Sequence, residues 1–298
     1  MTFDASLGST KVAGGSTVEA RLEMGTETVP QADADGWVSV LFEEAIEDAV
    51  VVMGPVSWAH GDAATPVVRN VTETGVEFRI AEWHYMDGER ARPETVSWMA
   101  ASEGTHRLED GTLVQAGLAD AATGTVSDVA FDTGFETAPV LFTQAVPGSA
   151  SDTPTLVSRS DAVTGEGFEV RLQTEDALGG TSASDSVAWI AVDQGESVAV
   201  STGRTNAAFK WESTRVTEFD PGEDVFMAST QTLRDEDTAT VRYTTTRDGG
   251  LNVRVHEDQS VDWNQNHRHE RIGHLTAEAE AFDLFDLPEA AYSWLLAA

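Results

Sequence analysis

The amino-acid sequence predicts an all-β protein with three tandem antiparallel β-sandwich modules, an extended N-terminal arm and a short apolar C-terminal tail. Short β-branched runs, separated by Gly, Pro, Asn and Asp turn signals, recur along the 298 residues. No segment inside the repeats has a sustained helical period, so a parallel sheet with crossover helices is not expected. The remaining observation behind this prediction is an internal three-fold repeat.

The repeat consists of four landmarks that occur three times in the same order. Each copy has an Asp, a Thr three residues later, an Arg that follows the Asp by 17 or 19 residues, and a closing strand with Trp or His. The landmarks are Asp62, Thr65, Arg79 and Trp98, then Asp152, Thr155, Arg171 and Trp189, then Asp237, Thr240, Arg254 and His274. This period exceeds the roughly 20 to 50 residues of solenoids and propellers, so each copy is expected to be a small domain.

These landmarks divide the chain into five parts. Residues 1–18 are rich in Gly, Ser and Thr and are expected to form a flexible or extended arm. The three modules are placed at residues 19–110, 111–198 and 199–280. The tail, 281–298, is too short to span a membrane and too apolar to be left in water, so we expect it to dock. Its candidate docking or assembly residues are Phe282, Phe285, Leu287, Trp294 and Leu295.

Strands in the first module are predicted from period and β-branched content. The predicted spans are 37–42, 49–53, 65–71, 76–81 and 95–101. Side chains alternate along a strand, so Phe78 and Ile80 are expected to face the core, with Glu77 and Arg79 on the wet face. The repeated arginines are expected to form exposed ion pairs with neighbouring glutamates such as Glu77.

Composition excludes several partners. The chain has 51 acidic and 18 basic residues, of which only Lys11 and Lys210 are lysines. This charge repels nucleic acids and anionic lipids, and its self-repulsion is screened in molar salt. The lysine depletion resembles proteins of salt-accumulating haloarchaea, which suggests a haloarchaeon or one of its viruses as the source. The chain has no cysteine, no recognisable signal peptide and no apolar run long enough to span a membrane.

Several stretches of the modules resemble the H-type lectins, six-stranded β-sandwiches that form trimers and bind N-acetylgalactosamine-type sugars at subunit junctions. The resembling stretches are residues 139–142 with their counterpart 50–53, residues 70–75, and the closing strands around Trp98 and Trp189. The resemblance implies a sandwich fold and a homo-oligomer, with a trimer favoured.

The same resemblance implies a sugar site in the first module. In the family an arginine on a middle strand and a Trp-His pair hold the sugar, and here Trp83 and His84 look like that pair. Arg69 lies near the place of the arginine, where the second copy has Arg159 and the third has Thr244. A tryptophan face can stack on a sugar ring, and Arg and His can donate to its hydroxyls. The alternative is that Trp83 only anchors its loop by packing.

No other motif singles out a catalytic or metal site. His267 and His269 share a strand face and could bind zinc only if His256 or His274 converged on them, so no metal site is predicted. There is no nucleophile elbow, phosphate-binding glycine loop or cysteine nucleophile, and an enzyme is not expected. No cofactor is expected beyond weakly bound surface cations.

Three functions are compatible with these features, of which a glycan-cleaving enzyme is the least favoured. The leading hypothesis is a structural or attachment protein of a haloarchaeal tailed virus: a turret, spike or fibre subunit. It would be made in the cytoplasm, bind other virion proteins and contact host surface glycans from the virion surface. The alternative hypothesis is a secreted or cell-surface carbohydrate-binding lectin of a haloarchaeon.

Overall fold

A computed structural model describes residues 20–29, 36–86, 92–147, 155–178, 185–197 and 199–286. Its regular structure in these ranges consists of β-strands, which pair almost entirely antiparallel and form separate sheets. The all-β, sandwich-type fold class is therefore confirmed. Within the same ranges, no helix is long and apolar enough to cross a membrane.

The first sandwich has two three-stranded sheets. Its central sheet has the strand order β1-β7-β3, and its outer sheet has the order β2-β6-β5. The bounds are Arg21–Val29 (β1), Val38–Leu41 (β2), Ala49–Met53 (β3), Val56–Ser57 (β4), Ala64–Thr72 (β5), Gly75–Glu82 (β6) and Glu94–Ser102 (β7). Phe78 and Ile80 are buried while Glu77 and Arg79 are partly exposed, as the alternation in the sequence predicts.

The second sandwich follows a short linking strand, β8 (Gly104–Arg107). Its strands are Leu113–Ala121 (β9), Val126–Ala130 (β10), Val140–Val146 (β11), Val157–Asp161 (β12), Gly167–Gln173 (β13) and Asp185–Val192 (β14). The central sheet has the order β11-β14-β9, and β8 extends it at the β9 edge. The outer sheet has the order β10-β13-β12.

The third sandwich repeats this arrangement. Its strands are Ser201–Ala207 (β15), Glu212–Ser213 (β16), Asp224–Thr230 (β17), Ala239–Thr245 (β18), Leu251–Glu257 (β19) and Glu270–Glu278 (β20). The central sheet has the order β15-β20-β17, and the outer sheet has the order β16-β19-β18. Strand β4 of the first sandwich adds to this outer sheet by pairing parallel with β18.

If the two-residue strand β4 is left out of the count, the first, sixth and third strands of every sandwich form its central sheet, and the second, fifth and fourth form its outer sheet. The closing strands have equivalent registers in the three sandwiches. In each one, the Trp or His of the closing strand pairs with a glycine on the first strand. These pairs are Gly25 with Trp98, Gly117 with Trp189, and Gly203 with His274. A Cβ on any of the three glycines would lie within 2.9 Å of the partner ring. The ring therefore requires glycine opposite it.

The described residues form four large apolar cores. One lies inside each sandwich, around Trp98 in the first, Trp189 in the second and Phe226 in the third. The fourth joins the outward faces of the three central sheets, with Met99, Ile190 and Leu275 among its members. Burying apolar surface is the main favourable term in folding, so this shared core binds the three sandwiches into one body.

The arrangement of the sandwiches has approximate three-fold symmetry. A cavity of about 70 Å³ is lined by the same strand positions from each sandwich. Met53, Thr143 and Ala228, which pair with the closing ring residues, contribute from the third strands. Ala64 and Ala239 contribute from the first residues of β5 and β18, and Leu156 contributes from the position just before β12. The cavity therefore marks the approximate three-fold axis.

After β20 the chain returns to the first two sandwiches. Strand β21 (Ala281–Asp283) pairs with β1, and β22 (Phe285–Asp286) pairs with β8. Between them Leu284 is buried in the central core, against which Phe282 also packs. This segment thus joins the edges of two central sheets.

Two sequence-based expectations need qualification. The sequence reading placed no strand before residue 37, whereas β1 spans Arg21–Val29 and lies in the middle of its sheet. The predicted arm, 1–18, lies outside the described residues. The domain boundaries given above stay a prediction.

Candidate functional site at the sandwich junctions

The three residues predicted to hold a sugar do not come together. Trp83 is only 2% exposed and packs in a small cluster with Ala63 and with Val157 of the second sandwich. Arg69 bonds Glu77 through Nε at 2.8 Å and stacks on the Trp37 ring at 3.8 Å. Arg69 pairs with Glu77 on β6, five residues before Glu82, so about 16 Å of strand separates it from the Trp83 segment.

His84 is exposed, and its backbone takes part in a contact between sandwiches. Its amide donates to the Glu175 carboxylate of the second sandwich. The equivalent amide of Asp176 donates to Asp258 Oδ2 of the third sandwich at 2.7 Å. The amide of Gln259 donates to Tyr85 Oη of the first sandwich at 3.0 Å.

These three hydrogen bonds form a closed cycle from the first sandwich to the second, the third and back. Trp83 occupies the place of Glu175 and Asp258 in the other copies and has no acceptor, so Tyr85 accepts the third bond instead. The Trp83-His84 segment is therefore part of the junction between sandwiches. The face of Trp83 that would stack on a sugar is buried.

The cycle concentrates carboxylates in a partly dry environment. Burial raises the pKa of Glu175 and of Asp176, and the nearby Asp258 charge raises both further. Burial, with the same Asp258 among the contributing charges, raises the pKa of Tyr85 to about 12, so Tyr85 stays a neutral hydroxyl at ordinary pH. These groups are suited to hydrogen bonding between sandwiches.

The junction of the third sandwich with the first contains a fully buried ion pair. Arg242 of β18 donates through Nη2 to Glu94 Oε1 at 3.0 Å, and these side chains are 0% and 1% exposed. Its remaining donors go to backbone carbonyls of the loop that follows β3 in the first sandwich. These acceptors are Val56, Ser57, His60 and Asp62. The loop and the start of β7 thus surround one guanidinium.

The junction of the second sandwich with the third repeats this arrangement. Arg159 of β12 donates through Nη2 to Glu270 Oε1 at 2.8 Å, with exposures of 1% and 0%. Its Nη1 donates to the carbonyl oxygens of Asp235 at 3.0 Å and Asp237 at 2.8 Å. His267 lies between two carboxylates, with Nδ1 3.0 Å from Glu257 Oε1 and Nε2 3.2 Å from Glu270 Oε1.

Glu270 is strongly stabilised as a carboxylate. Burial alone would raise its pKa, but hydrogen bonds from His267 and Thr232 and the Arg159 charge outweigh burial and lower the pKa to about 2. A buried charge is tolerated when it is paired and hydrogen-bonded, as Glu270 is. This junction therefore depends on a complete set of partners.

Strand register corrects one sequence assignment. Arg159 pairs with Arg171 and Arg242 pairs with Arg254, whereas Val67 pairs with Arg79. The equivalent set is therefore Val67, Arg159 and Arg242, and the alignment of Arg69 with Arg159 and Thr244 was wrong. The assignment had counted four residues from the repeated Thr in each copy. The second copy has two more residues between Asp152 and Arg171 than the other copies have, so the same count reached a different strand position there.

Two of the repeated arginines also contact aromatic rings, which the sequence did not predict. Glu77 bonds Arg69 and Asn70, while Arg79 lies over Trp37 with its Cζ 5.1 Å from the ring centre. Arg254 lies over two rings, at 4.7 Å from Trp58 and 5.6 Å from Trp211. In the first and third copies these arginines therefore stack on tryptophan.

His267 and His269 do not form a metal-ligand group with a third histidine among the described residues. His267 bonds two glutamates, His269 is exposed, and the His274 ring lies against Gly203. Two other groups have ligand atoms within 4.8 Å of one another and could hold a metal ion: His60, Asp62 and Glu82, and Asp235, Glu257 and His267. Each group lies beside an arginine that joins two sandwiches. The carbonyls of His60 and Asp62 accept from Arg242, and the carbonyl of Asp235 accepts from Arg159.

The predicted docking residues divide into two sets. Phe282 packs on the central core of its own chain, while Phe285 is 51% exposed. Leu287, Trp294 and Leu295 lie outside the described residues.

The chain is similar to part of one curated protein. It is 28% identical over 279 residues to halomucin of Haloquadratum walsbyi, a match that covers 89% of this chain and 3% of halomucin. No family model matches the chain, and no solved structure matches it. The resemblance to H-type lectins is not confirmed by these comparisons.

Sequence reasoning missed the junction residues, although the sequence contained two signals. The first signal is a constant spacing: the residues twelve positions before the repeated arginines Arg79, Arg171 and Arg254 are Val67, Arg159 and Arg242. The third strands are continuous apolar runs, such as Val50–Met53, rather than alternating ones. A continuous run indicates a strand buried on both faces, and thus a second core outside the sandwich.

Proposed function

We propose that this chain is a non-catalytic structural unit of a haloarchaeal cell-surface or extracellular protein. The observation that carries the proposal is the match to halomucin, which extends over almost the whole chain but over only 3% of that protein. The chain thus resembles a short stretch of a far longer haloarchaeal protein.

The fold supports this role. Three sandwiches share one core, and the described loops at the junctions are occupied by contacts between sandwiches. The net charge of −33 keeps such a surface solvated where molar salt screens its repulsion. A compact, highly charged unit of this kind suits a long extracellular chain in molar salt.

The comparison favours the cell-surface hypothesis over the virion hypothesis. Halomucin is a protein of a haloarchaeon, and nothing in the fold favours a particle component. A lectin activity at Trp83, His84 and Arg69 is a finer proposal that rests on the family resemblance alone. The closed face of Trp83 gives it no support.

Surface labelling of intact cells tests the proposal. In molar salt, an antibody against this chain should label unlysed haloarchaeal cells or detect the protein in their medium. Protease treatment of intact cells should remove the antibody label from the cells. A cytoplasmic protein serves as the lysis control. Signal that appears only after lysis, or that sediments with virus particles, would contradict the proposal.

A further inference from the structure

We infer that Arg159 and Arg242 determine which sandwich packs against which. Each junction arginine fits a receiving site on the next sandwich, built from loop carbonyl oxygens and one glutamate. The first sandwich supplies the receiving site of Glu94 with the carbonyls of residues 56–62, and the third supplies that of Glu270 with the carbonyls of Asp235 and Asp237.

The two receiving sites are equivalent by sequence position and by geometry. Glu94 lies four residues before Trp98, and Glu270 lies four residues before His274, on corresponding closing strands. The loop acceptors His60 and Asp62 correspond to Asp235 and Asp237, because each pair precedes its repeated arginine by 19 and 17 residues. One recognition mode therefore occurs twice in the molecule.

The chemistry of this mode is specific to arginine. A guanidinium has five N–H donors in a planar fork, which can reach several carbonyls and a carboxylate at once. Lysine carries the same charge on a single nitrogen and cannot reach the same spread of acceptors. The pairs are at most 1% exposed, so water does not substitute for a missing donor.

The equivalent residue of the first sandwich excludes it from such a site. Val67 has no donor, so a first sandwich docked on the Glu270 site would leave that buried carboxylate without its guanidinium partner. Its contact with the second sandwich instead includes apolar packing of Trp83 on Val157. Unpaired charge thus disfavours the wrong neighbour, while the correct arginine is accepted.

A nicked full-length chain tests the inference. A protease recognition site replaces the exposed residues 194–196 between the second and third sandwiches, and the chain is cut after folding in molar KCl. The cut wild-type chain should elute as one particle, because Arg159 and Arg242 both join the third sandwich to the others. Dissociation is followed by size-exclusion chromatography on dilution.

The variants separate arginine recognition from packing. Arg159→Met with Arg242→Met keeps most of the side-chain volume and should weaken association roughly a hundredfold or more, since each change removes the guanidinium partner of a buried glutamate. Arg159→Lys with Arg242→Lys keeps the charge and should also weaken it. Arg69→Met, on the outer face of the first sandwich, is the matched control and should not.

Two outcomes would overturn the inference. The first is that the cut chain with Arg159→Met and Arg242→Met stays associated as tightly as the cut wild-type chain. The other is uncut double-Met chain that has lost its β-sheet circular dichroism, because the arginines would then maintain the individual sandwiches instead of selecting their neighbours. Retained β-structure in the uncut variant, with separation after cutting, supports it.

Discussion

Trp83 shows at the scale of one residue how the same side chain supports two different hypotheses. A Trp-His pair after a strand fits a sugar platform, and the sequence also allowed the tryptophan merely to pack. The structure places the ring against Ala63 and Val157, across the boundary between the first and second sandwiches. The burial of Trp83 depends on the second sandwich packing against it. The residues around Trp83 in the sequence do not indicate which sandwich packs there.

Replacing Trp83 therefore tests packing. Trp83→Ala should lower the free energy of unfolding by roughly 3–5 kcal/mol, because it removes a buried aromatic side chain from a junction. Trp263→Ala is the matched control, since Trp263 is 87% exposed and its loss should change stability by less than about 0.5 kcal/mol. Denaturant melts in molar KCl measure both. Equal effects of the two changes would contradict the assigned packing role.

The glycines opposite the closing rings are a second residue-scale feature. In Gly117→Ala the new Cβ would lie 2.8 Å from Trp189 Cζ2, so the buried ring must move. We expect a loss of roughly 1–3 kcal/mol in the free energy of unfolding. Gly134→Ala is the control, because its Cβ would meet only Gly165 O at 3.6 Å. If both variants melt alike, the close approach is wrong.

His274 makes the third sandwich sensitive to acid. Burial lowers its pKa from 6.5 to about 4, so the folded protein keeps the ring neutral while the unfolded chain takes up a proton below about pH 6.5. Stability should therefore fall as the pH drops from 6.5 towards 4, by on the order of 3 kcal/mol from this group.

The His274→Phe variant isolates this contribution. Phenylalanine keeps an aromatic ring over Gly203 and cannot titrate, so the variant should lose less stability than wild type between pH 6.5 and 4. Unfolding midpoints across that range, in constant molar KCl, provide the measurement. Parallel pH profiles for the two proteins would show that His274 does not titrate as described.

At the scale of the strand, the sequence predicted five strands of the first module closely. Four of the predicted strands differ from the observed bounds by one residue at each end, and 49–53 is identical. Strand β1 was missed because RLEMGTETV mixes polar residues with a glycine that a strand propensity disfavours. That glycine is required by the Trp98 ring, a long-range contact that propensity cannot include.

The segment after β20 holds two central sheets together. Leu284→Ala should cost roughly 2–4 kcal/mol in the free energy of unfolding, because Leu284 is 6% exposed in the central core. Phe285→Ala, at a half-exposed neighbour, should cost clearly less. Thermal or denaturant melts compare them. A larger loss for Phe285→Ala would mean that this strand docks with the opposite face inward.

At the scale of the whole molecule, the repeat and the composition predicted the fold class and three similar units. They did not predict that the central sheets share one core, although their continuous apolar runs were a usable signal. The expected homo-trimer has its counterpart inside a single chain, where three sandwiches surround the cavity on the approximate three-fold axis. Because the three sandwiches belong to one chain, their junctions need not be identical. The equivalent position is Val67 at one junction and Arg159 or Arg242 at the other two.

Small-angle X-ray scattering in molar KCl tests this closed arrangement most directly. For a single chain, whose mass is 31.9 kDa, the account predicts a radius of gyration near the roughly 19 Å expected for a compact body of this length. Three sandwiches in a row, each about 13 Å in radius of gyration, would give roughly 25 Å. A value of that size for the single chain would contradict the shared central core.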